Sequence, residues 1–427
     1  MVKNIKEFIK NRKNIFRTFQ NAGLYFLGSI IQSIFALITQ PIYSQYLTAM
    51  DFGVLGYFEA IKGFFTPIFI FSMTSVYLMN YFKQSENENK KQIFNITIFL
   101  MLFNTAILFI SYIGIYIYFK KLDVRIPLNP FSWFILIALL LDNIKSIVLI
   151  NFRLRRKALS YFLFSAMNTI LNVSIGLFLV AGLKWGASGR MLAPIISTII
   201  LIPYCIYILR KYTIIHINIR EYFRDARIAF PLVLAAYAYF PISNIDRFFL
   251  ERLDNISELG LYNIGISVAS YIQLAYVALA LAFEPDIYQS VAQHNYLKLV
   301  KLFAMIFAPY LICISIFMYF SNSILSLLTA GRFIGAEPYT NITLIAVFLT
   351  GIFLFFDKIF VAMGKTRLNL VINSIGGITA IIITYIAVNV YGFMGAAYGK
   401  VLIAFIMAIT SALIAIKYLK LQKHNIA

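Results

Sequence analysis

The sequence predicts an all-α polytopic membrane protein with about twelve transmembrane helices, arranged as two parallel-repeat six-helix lobes around a central cavity. Apolar runs of about 20 residues, the length that crosses a bilayer, follow one another from Asn21 to Leu419. The chain is 61% hydrophobic and 13% charged, whereas soluble proteins are about one quarter charged. Lysine and arginine also collect in alternate loops, as they do in multi-pass proteins. Together these observations argue against a soluble fold.

The apolar runs give the position of each predicted span. Only helices satisfy every backbone polar group within a single spanning segment, so each run is assigned to a helix. The predicted spans are about 21–44, 54–82, 93–119, 129–152, 160–183, 187–209, 228–250, 261–290, 299–321, 338–363, 368–391 and 394–417.

Loop charge then gives the orientation of these spans. The loops assigned to the cytoplasm carry 25 Lys and Arg residues, and the opposite loops carry 6, namely Lys120, Lys121, Arg125, Lys184, Arg252 and Arg332. Because positively charged loops stay inside, we expect both termini in the cytoplasm, including the basic segment 1–20. The same rule accounts for the net charge of +20 without a nucleic-acid partner.

The two halves of the chain carry similar motifs. Asp51-Phe-Gly53 after span 1 resembles Glu258-Leu-Gly260 after span 7, and Gly186-Ala187 before span 6 resembles Gly395-Ala396 before span 12. The separations of 207 and 209 residues indicate an internal repeat, a design found in transporters. With six spans in each half, the repeats enter the membrane from the same side. The predicted division is an N-terminal lobe at 1–209, a cytoplasmic linker at 210–227 and a C-terminal lobe at 228–427.

Charged residues interrupt several spans, where each costs about 2.5–3.5 kcal/mol and usually faces a partner or a water-filled cavity. Glu59 with Lys62, and Asp142 with Lys145, are spaced three residues apart. Each pair therefore lies on one helix face. Such a pair either neutralises itself or contributes charge to a cavity, and the sequence leaves both readings open.

Other intramembrane charges need partners from elsewhere. Asp246-Arg247 and Asp357-Lys358 are adjacent, so their side chains point about 100° apart and each is expected to find a partner across the interior. Arg190 and Lys400 have no carboxylate nearby in their own spans. They need an acidic partner or an anionic ligand, unless they reach the outer interface. Glu284-Pro285-Asp286 is either an ion site or a polar helix end.

These charges give two sets of candidate functional residues. The cations predicted to line a substrate-binding cavity are Lys62, Lys145, Arg190, Arg247, Lys358 and Lys400. The carboxylates predicted to bind a coupling H⁺ or Na⁺ are Asp142, Asp246, Glu284, Asp286 and Asp357. We expect no cofactor, metal site or catalytic residue. The three histidines lie in loops or the tail, and Cys205 and Cys313 have no metal-ligand spacing.

Three segments carry a resemblance to a known family: residues 41–54 (PIYSQYLTAMDFGV), residues 243–263 (SNIDRFFLERLDNISELGLYN) and residues 391–401 (YGFMGAAYGKV). Their order and spacing resemble the polysaccharide and O-antigen flippases (Wzx type) of the multidrug/oligosaccharidyl-lipid/polysaccharide (MOP) exporter superfamily. Asp246 and Arg247 fall on that family's S-x-x-D-R segment. The resemblance implies a two-lobed bundle with a central cleft that opens alternately to each side of the membrane.

The resemblance also implies a function. A secondary transporter, not an enzyme, would flip a polyprenyl-pyrophosphate-linked oligosaccharide from the cytoplasmic to the outer leaflet of a bacterial inner membrane. Its expected partners are that lipid, the bilayer, and the polymerase and glycosyltransferases of the pathway. One alternative is a multidrug or cation antiporter of the same superfamily, although six intramembrane cations argue against it. A membrane-embedded glycan enzyme is the other alternative, and it lacks a long outside loop or a carboxylate or histidine cluster.

Overall fold

A computed structural model describes the backbone of residues 2–424 and the side chains of 23–419, apart from residues 29, 278, 281 and 366. The basic segment 1–20 therefore lies outside the described side chains. Residues 2–424 are almost entirely helical and contain no β-strand. Their α-helices are α1 (Val2–Tyr46), α2 (Ala49–Ile70), α3 (Met73–Tyr81), α4 (Glu86–Leu122), α5 (Phe131–Leu154), α6 (Ala158–Leu177), α7 (Gly186–Tyr212), α8 (Ile219–Leu250), α9 (Ile256–Ala292), α10 (Tyr296–Tyr319), α11 (Ser321–Leu328), α12 (Glu337–Ala362) and α13 (Thr366–His424).

Nine helical segments in the described part of the chain are long and apolar enough to cross a membrane. A tenth is a helix pair, Ile256–Val277 and Ala282–Ala292, bent by 56°. Predicted span 1 falls on α1, spans 11 and 12 both fall on α13, and each remaining span falls on one of the other segments. Large apolar side chains such as Phe178 and Tyr207 point outward along these segments. The predicted all-helical, multi-pass fold class is confirmed.

Glycines mark two equivalent turns in the halves of the chain. Gly392 has a φ of 58° and a ψ of −134°, and it breaks α13 between predicted spans 11 and 12. Gly186 has a φ of 55° and begins α7. Both angles lie in the region that glycine adopts at least cost. The two turns are 206 residues apart, so Gly186 corresponds to Gly392. The predicted match with Gly395 is off by three residues, because Gly395 already lies within the helix.

Predicted span 2 is broken, whereas the sequence predicted one continuous span over 54–82. Phe71 and Ser72 both have φ values near 48°, and they separate α2 from α3. The end of a helix leaves carbonyl groups without intrahelical donors. Here the Asn104 side chain donates to the Phe69 carbonyl at 2.7 Å. An amide from a distant helix therefore supports the break. Pro67, inside α2 and four residues before Phe71, is the nearest helix-disturbing residue in the sequence.

The internal repeat is visible in the caps of α2 and α9. Thr48 and Asp51 form reciprocal hydrogen bonds at the start of α2, with the Thr48 N–H donating to Asp51 at 2.9 Å and the Asp51 N–H donating to the Thr48 hydroxyl at 3.1 Å. At the start of α9, Asn255 accepts from the Glu258 N–H at 3.0 Å. Such caps satisfy free N–H groups at a helix start. The two cap positions recur at a separation of 207 residues, together with the bond from the later residue's N–H to the earlier side chain.

The starts of α2 and α9 also pack against each other through repeat-equivalent glycines. A Cβ atom added to Gly260 would lie 1.8 Å from the Ala49 carbonyl oxygen, and one added to Gly53 would lie 2.2 Å from the Ile256 carbonyl oxygen. Ala49 and Ile256 are themselves 207 residues apart, as are Gly53 and Gly260. The contact is therefore the same when the two repeats are exchanged, as at a two-fold interface. We call these four residues the glycine crossing.

The described helices form two compact units. The first comprises Met1–Thr39, Phe65–Tyr118 and Leu128–Leu232, and the second comprises Gln40–Phe64, Phe119–Pro127 and Val233–Ala427. Within the second unit, a core that includes Tyr276, Phe307, Tyr310 and Phe355 joins α9, α10 and α12. The predicted lobe boundaries at 209 and 228 stay a prediction. Each ion pair described next lies within a single unit.

Candidate functional site

Asp246, in the last turns of α8, lies at the centre of a buried ionic cluster in the second unit. Its side chain is 4% exposed. One carboxylate oxygen accepts a hydrogen bond from the Tyr262 hydroxyl at 2.5 Å and lies 3.2 Å from Lys400 Nζ. The other oxygen lies 3.4 Å from Arg247 Nη1. We call these four residues the Asp246 cluster. Helices α8, α9 and α13 contribute to it.

Arg247 reaches beyond Asp246 to two further acceptors. Its Nε donates to the Asn263 side-chain oxygen at 3.0 Å, and its Nη1 donates to the Ser243 carbonyl at 3.2 Å. The sequence predicted that Asp246 and Arg247, as adjacent residues, would each find a partner elsewhere. That prediction was partly wrong, because Arg247 also contacts Asp246. The long guanidinium bends back along its own helix while its principal acceptor, Asn263, lies on α9.

The Asp246 cluster carries more positive than negative charge. Lys400 and Arg247 share one carboxylate, and Tyr262 is a neutral donor, so the cluster has one positive charge in excess when each group holds its usual charge. Lys400 has three N–H donors, and its second contact, to the Ser243 carbonyl, is long at 3.4 Å. The ammonium group therefore has donor capacity left for a ligand.

Lys400 also lines a cavity in the second unit, which we call the Lys400 cavity. Its volume is about 200 Å³. Residues of α8, α9, α12 and α13 form its wall, and the polar and aromatic ones include Tyr239, Ser243, Gln273, Thr343, Thr350 and Lys400. Apolar side chains such as Ile266, Val347 and Met407 make up most of the wall, and the cation, hydroxyl and amide groups lie among them. Such a wall suits a ligand that joins an anionic group to a less polar surface better than it suits a cationic ligand.

Several other predicted site residues form ion pairs outside the Asp246 cluster. Within the first unit Lys145 lies 2.7 Å from Asp142. Lys62 lies 3.6 Å from Glu59 in the second unit. Both pairs have the self-neutralising geometry that a spacing of three residues allows. A carboxylate paired in this way has less need of a coupling ion, and its lysine has less charge to offer a substrate.

Two further pairs connect α9 to neighbouring helices. Lys358 of α12 lies 2.5 Å from Glu284, which also accepts from the Tyr288 hydroxyl at 2.8 Å. Lys298 of α10 lies 3.0 Å from Asp286. Glu284 and Asp286, on either side of Pro285, thus each have a cation of their own.

Asp357 and Arg190 complete the set. Asp357 is half-buried in α12 beside Lys358, and its carboxylate has no hydrogen bond or ion pair among the side chains that the structure describes. Arg190 is half-buried in the second turn of α7, in the first unit. The structure thus joins Asp246, Arg247 and Lys400 in one cluster and distributes the other predicted site residues among separate sites. No group of three His, Cys, Asp or Glu side chains that could hold a metal occurs among the described residues.

Sequence reasoning missed the uncharged members of the site. Tyr262 and Asn263 hold Asp246 and Arg247, and Gln273 and Thr343 line the Lys400 cavity. Charged residues stand out within an apolar span, but uncharged polar residues do not. The chain has 28 tyrosines, and nothing in the sequence distinguishes Tyr262 from the others by composition. The position of Tyr262 and Asn263 in the family-like segment 243–263 was the one available signal.

The Glu284–Lys358 pair gives a stability prediction. Both side chains are about one quarter exposed, so breaking the pair leaves a poorly solvated charge. We expect Glu284→Gln or Lys358→Met to lower the free energy of unfolding by about 1–3 kcal/mol, and the double variant to recover most of that loss. Thermal unfolding of the purified protein in detergent measures the four-variant cycle.

The neighbouring Asp286–Lys298 pair is the matched control for that cycle. Its side chains are 45% and 36% exposed, so solvent screens them and the coupling is expected to stay below about 1 kcal/mol. Equal coupling energies for the two pairs would contradict the role assigned to burial.

These features define a multi-pass, all-helical membrane protein with the fold of the MATE transporters. Residues 231–386, which contain the Asp246 cluster apart from Lys400, match the family model MatE. A multidrug resistance MATE family transporter of the MOP superfamily, in an inward-facing conformation, is similar with a TM-score of 0.75 and 14% identity, over 93% of this chain and 96% of that chain. The lipid II flippase MurJ, in an inward closed conformation, is similar with a TM-score of 0.74 and 18% identity, over 92% of this chain and 87% of that chain.

A protein relative was also found by sequence. Protein 1 of the Lsg locus of Haemophilus influenzae (strain Rd) is 22% identical over 370 residues, which cover 82% of this chain and 86% of that protein. The predicted resemblance is thus supported in its broader part, a MatE region and the fold of the MOP transporters. The narrower Wzx-type assignment stays a prediction.

Proposed function

We propose that this chain is a secondary transporter that flips a polyprenyl-pyrophosphate-linked oligosaccharide from the cytoplasmic to the outer leaflet. The observation that carries the proposal is the excess positive charge of the Asp246 cluster beside the Lys400 cavity. The other lysines predicted for the site, Lys62, Lys145 and Lys358, are each matched to one carboxylate. In this unit we therefore assign substrate binding to Lys400, which lines the cavity, and a supporting role to Arg247, which shares Asp246 with it.

A charge inside a membrane protein is costly unless a partner offsets it. Two cations that share one buried carboxylate leave part of that cost uncompensated, and an anionic ligand would compensate it. Phosphate oxygens accept strong, charge-assisted hydrogen bonds from an ammonium group. A pyrophosphate-linked lipid therefore suits this site, whereas a cationic drug would be repelled by it.

The same reasoning narrows the coupling residue to Asp357. Asp142, Asp246, Glu284 and Asp286 each lie within 3.4 Å of a cation. The Asp357 carboxylate is half-buried and forms no ion pair with any side chain that the structure describes. A proton or Na⁺ bound there would remove an intramembrane charge, and its release would shift the balance between inward and outward states.

A multidrug or cation antiporter is the second candidate. Asp357 favours it, because a carboxylate that forms no ion pair among the described side chains could exchange H⁺ for a cationic substrate. The fold is compatible with both functions, since a multidrug transporter and a lipid II flippase share it. The excess positive charge at Lys400 is the reason to prefer an anionic lipid.

Reconstitution into liposomes distinguishes the two candidates. We expect the protein to move a fluorescent short-chain polyprenyl-pyrophosphate glycan between leaflets, measured as loss of protection from an impermeant quencher, and to leave a cationic dye in place. We also expect Asp357→Asn to abolish dependence on an imposed ion gradient while lipid exchange continues. Dye efflux without lipid movement would establish the antiporter instead.

A further inference from the structure

We infer that the Lys400 cavity binds the sugar residue attached directly to the phosphate, and that Gln273 and Thr343 select that sugar. The inference rests on the proposed function and names the part of the substrate that this site recognises. It is carried by uncharged hydrogen-bonding residues of the cavity wall, one of which, Thr343, has a buried hydroxyl with no partner among the described residues.

Thr343 is the first of these groups. Its side chain is 4% exposed, and its hydroxyl makes no hydrogen bond within the described part of the chain. Two other threonines of α12 behave differently, since Thr340 donates to the Ala336 carbonyl at 3.0 Å and Thr350 donates to the Ala346 carbonyl at 2.8 Å. Buried hydroxyl groups are usually paired, so an unpaired one in a cavity wall indicates a ligand or ordered water there.

Gln273 of α9 is the second group. It is half-buried and lines the same cavity. An amide offers two donors and an acceptor oxygen, the complement of a sugar hydroxyl or acetamido group. Together with Thr343 it presents uncharged hydrogen-bonding groups from two helices to one small space.

Size and shape limit the ligand to about one ring. Cavities that enclose drug-sized ligands have volumes of about 300–1,000 Å³, and this one has about 200 Å³. Tyr239 and Phe353 add aromatic surface to its wall, which suits the apolar face of a pyranose ring. Lys400 provides the charge for the adjoining phosphate. A single hexose joined to phosphate therefore fits the chemistry, and the remaining sugars lie outside.

Binding of soluble sugar phosphates tests the inference directly. The probes are glucose 1-phosphate, N-acetylglucosamine 1-phosphate and inorganic phosphate, titrated calorimetrically into the purified full-length protein in detergent. We expect at least one hexose 1-phosphate to bind more tightly than inorganic phosphate. Thr343→Val and Gln273→Leu should each reduce that preference by about threefold to tenfold, the equivalent of one hydrogen bond.

The matched control is Thr340→Val, one turn earlier on α12, whose hydroxyl bonds within its own helix and which does not line the cavity. It should leave the preference unchanged. Without ligand, Thr343→Val should melt at the same temperature as the wild type or higher, because it removes a buried hydroxyl that has no partner. A merely structural role for Thr343 predicts the reverse, with lower stability and unaltered preference.

The liposome assay separates failure of this inference from failure of the proposed function. Movement of polyprenyl-pyrophosphate glycans without any preference of the protein for hexose 1-phosphates over phosphate overturns the inference alone. Preferential binding of a hexose 1-phosphate that depends on Thr343 and Gln273, without lipid movement, supports the inference and overturns the flippase proposal. Absence of both results overturns both.

Discussion

Asp246→Asn is expected to destabilise the protein by about 3–5 kcal/mol, because it leaves two buried cations without a carboxylate. Lys400 and Arg247 lie 3.2 Å and 3.4 Å from the carboxylate oxygens, so the substitution places two like charges close together with no anion beside them. The Tyr262 hydroxyl retains an acceptor in the asparagine oxygen and does not add to the loss. Chemical or thermal unfolding in detergent measures the effect.

Lys400→Met is the informative comparison, because it affects function and stability differently. Without Lys400, Asp246 still has Arg247 and Tyr262, and the cluster becomes neutral. We expect its stability to stay within about 1 kcal/mol of the wild type, while lipid movement falls to the background of empty liposomes. The double variant Asp246→Asn, Lys400→Met leaves Arg247 as the single positive charge of the cluster. It should recover most of the stability that Asp246→Asn loses, without recovering transport.

The proposal that Lys400 binds the substrate requires Lys400→Met to abolish lipid movement while leaving stability nearly unchanged. If Lys400→Met unfolds as readily as Asp246→Asn, the lysine is a structural counter-ion and not a substrate ligand. Normal lipid movement by Lys400→Met would likewise remove it from the binding site. Lys211→Met, at an exposed position near the end of α7, is a control for loss of one positive charge.

The helices could be predicted from the sequence because the bilayer imposes a simple length rule on apolar runs. The turn between predicted spans 11 and 12 was placed at Gly395, whereas Gly392, three residues earlier, separates the two spans. The break at Phe71–Ser72 could not be foreseen, since neither residue favours a positive φ. It depends on packing and on the amide of Asn104, which is distant in sequence.

The candidate site was predictable only in its charges. An ionisable residue within an apolar run stands out in any sequence, and Asp246, Arg247 and Lys400 were all found in this way. Their partners depend on which helix faces meet, so the sequence could not tell that Lys400 shares Asp246 with Arg247. Uncharged polar residues such as Thr343 are common in spans, and its lack of an internal partner is a property of the fold alone.

The second large effect is expected at the glycine crossing. A Cβ atom at position 260 would lie 1.8 Å from the Ala49 carbonyl oxygen, and real Cβ atoms essentially never approach closer than 3.0 Å. Gly260→Ala therefore forces the backbones of α2 and α9 apart by about an ångström, which we expect to cost about 1–3 kcal/mol, the usual range for overpacking. Thermal unfolding in detergent measures this loss of stability.

Gly114→Ala in α4 is the control for this variant, because a Cβ atom there meets nothing within 4 Å. It should stabilise the helix by up to about 1 kcal/mol.

The repeat symmetry of the crossing makes the prediction sharper. Gly53→Ala meets the Ile256 carbonyl as Gly260→Ala meets that of Ala49, so the two single variants should cost similar amounts. One separation of α2 from α9 relieves both clashes. The double variant should therefore cost clearly less than the sum of the singles, as expected for coupled neighbours. Additive losses of stability would mean that the two clashes are relieved independently. The two halves of the glycine crossing would then not act as one coupled contact.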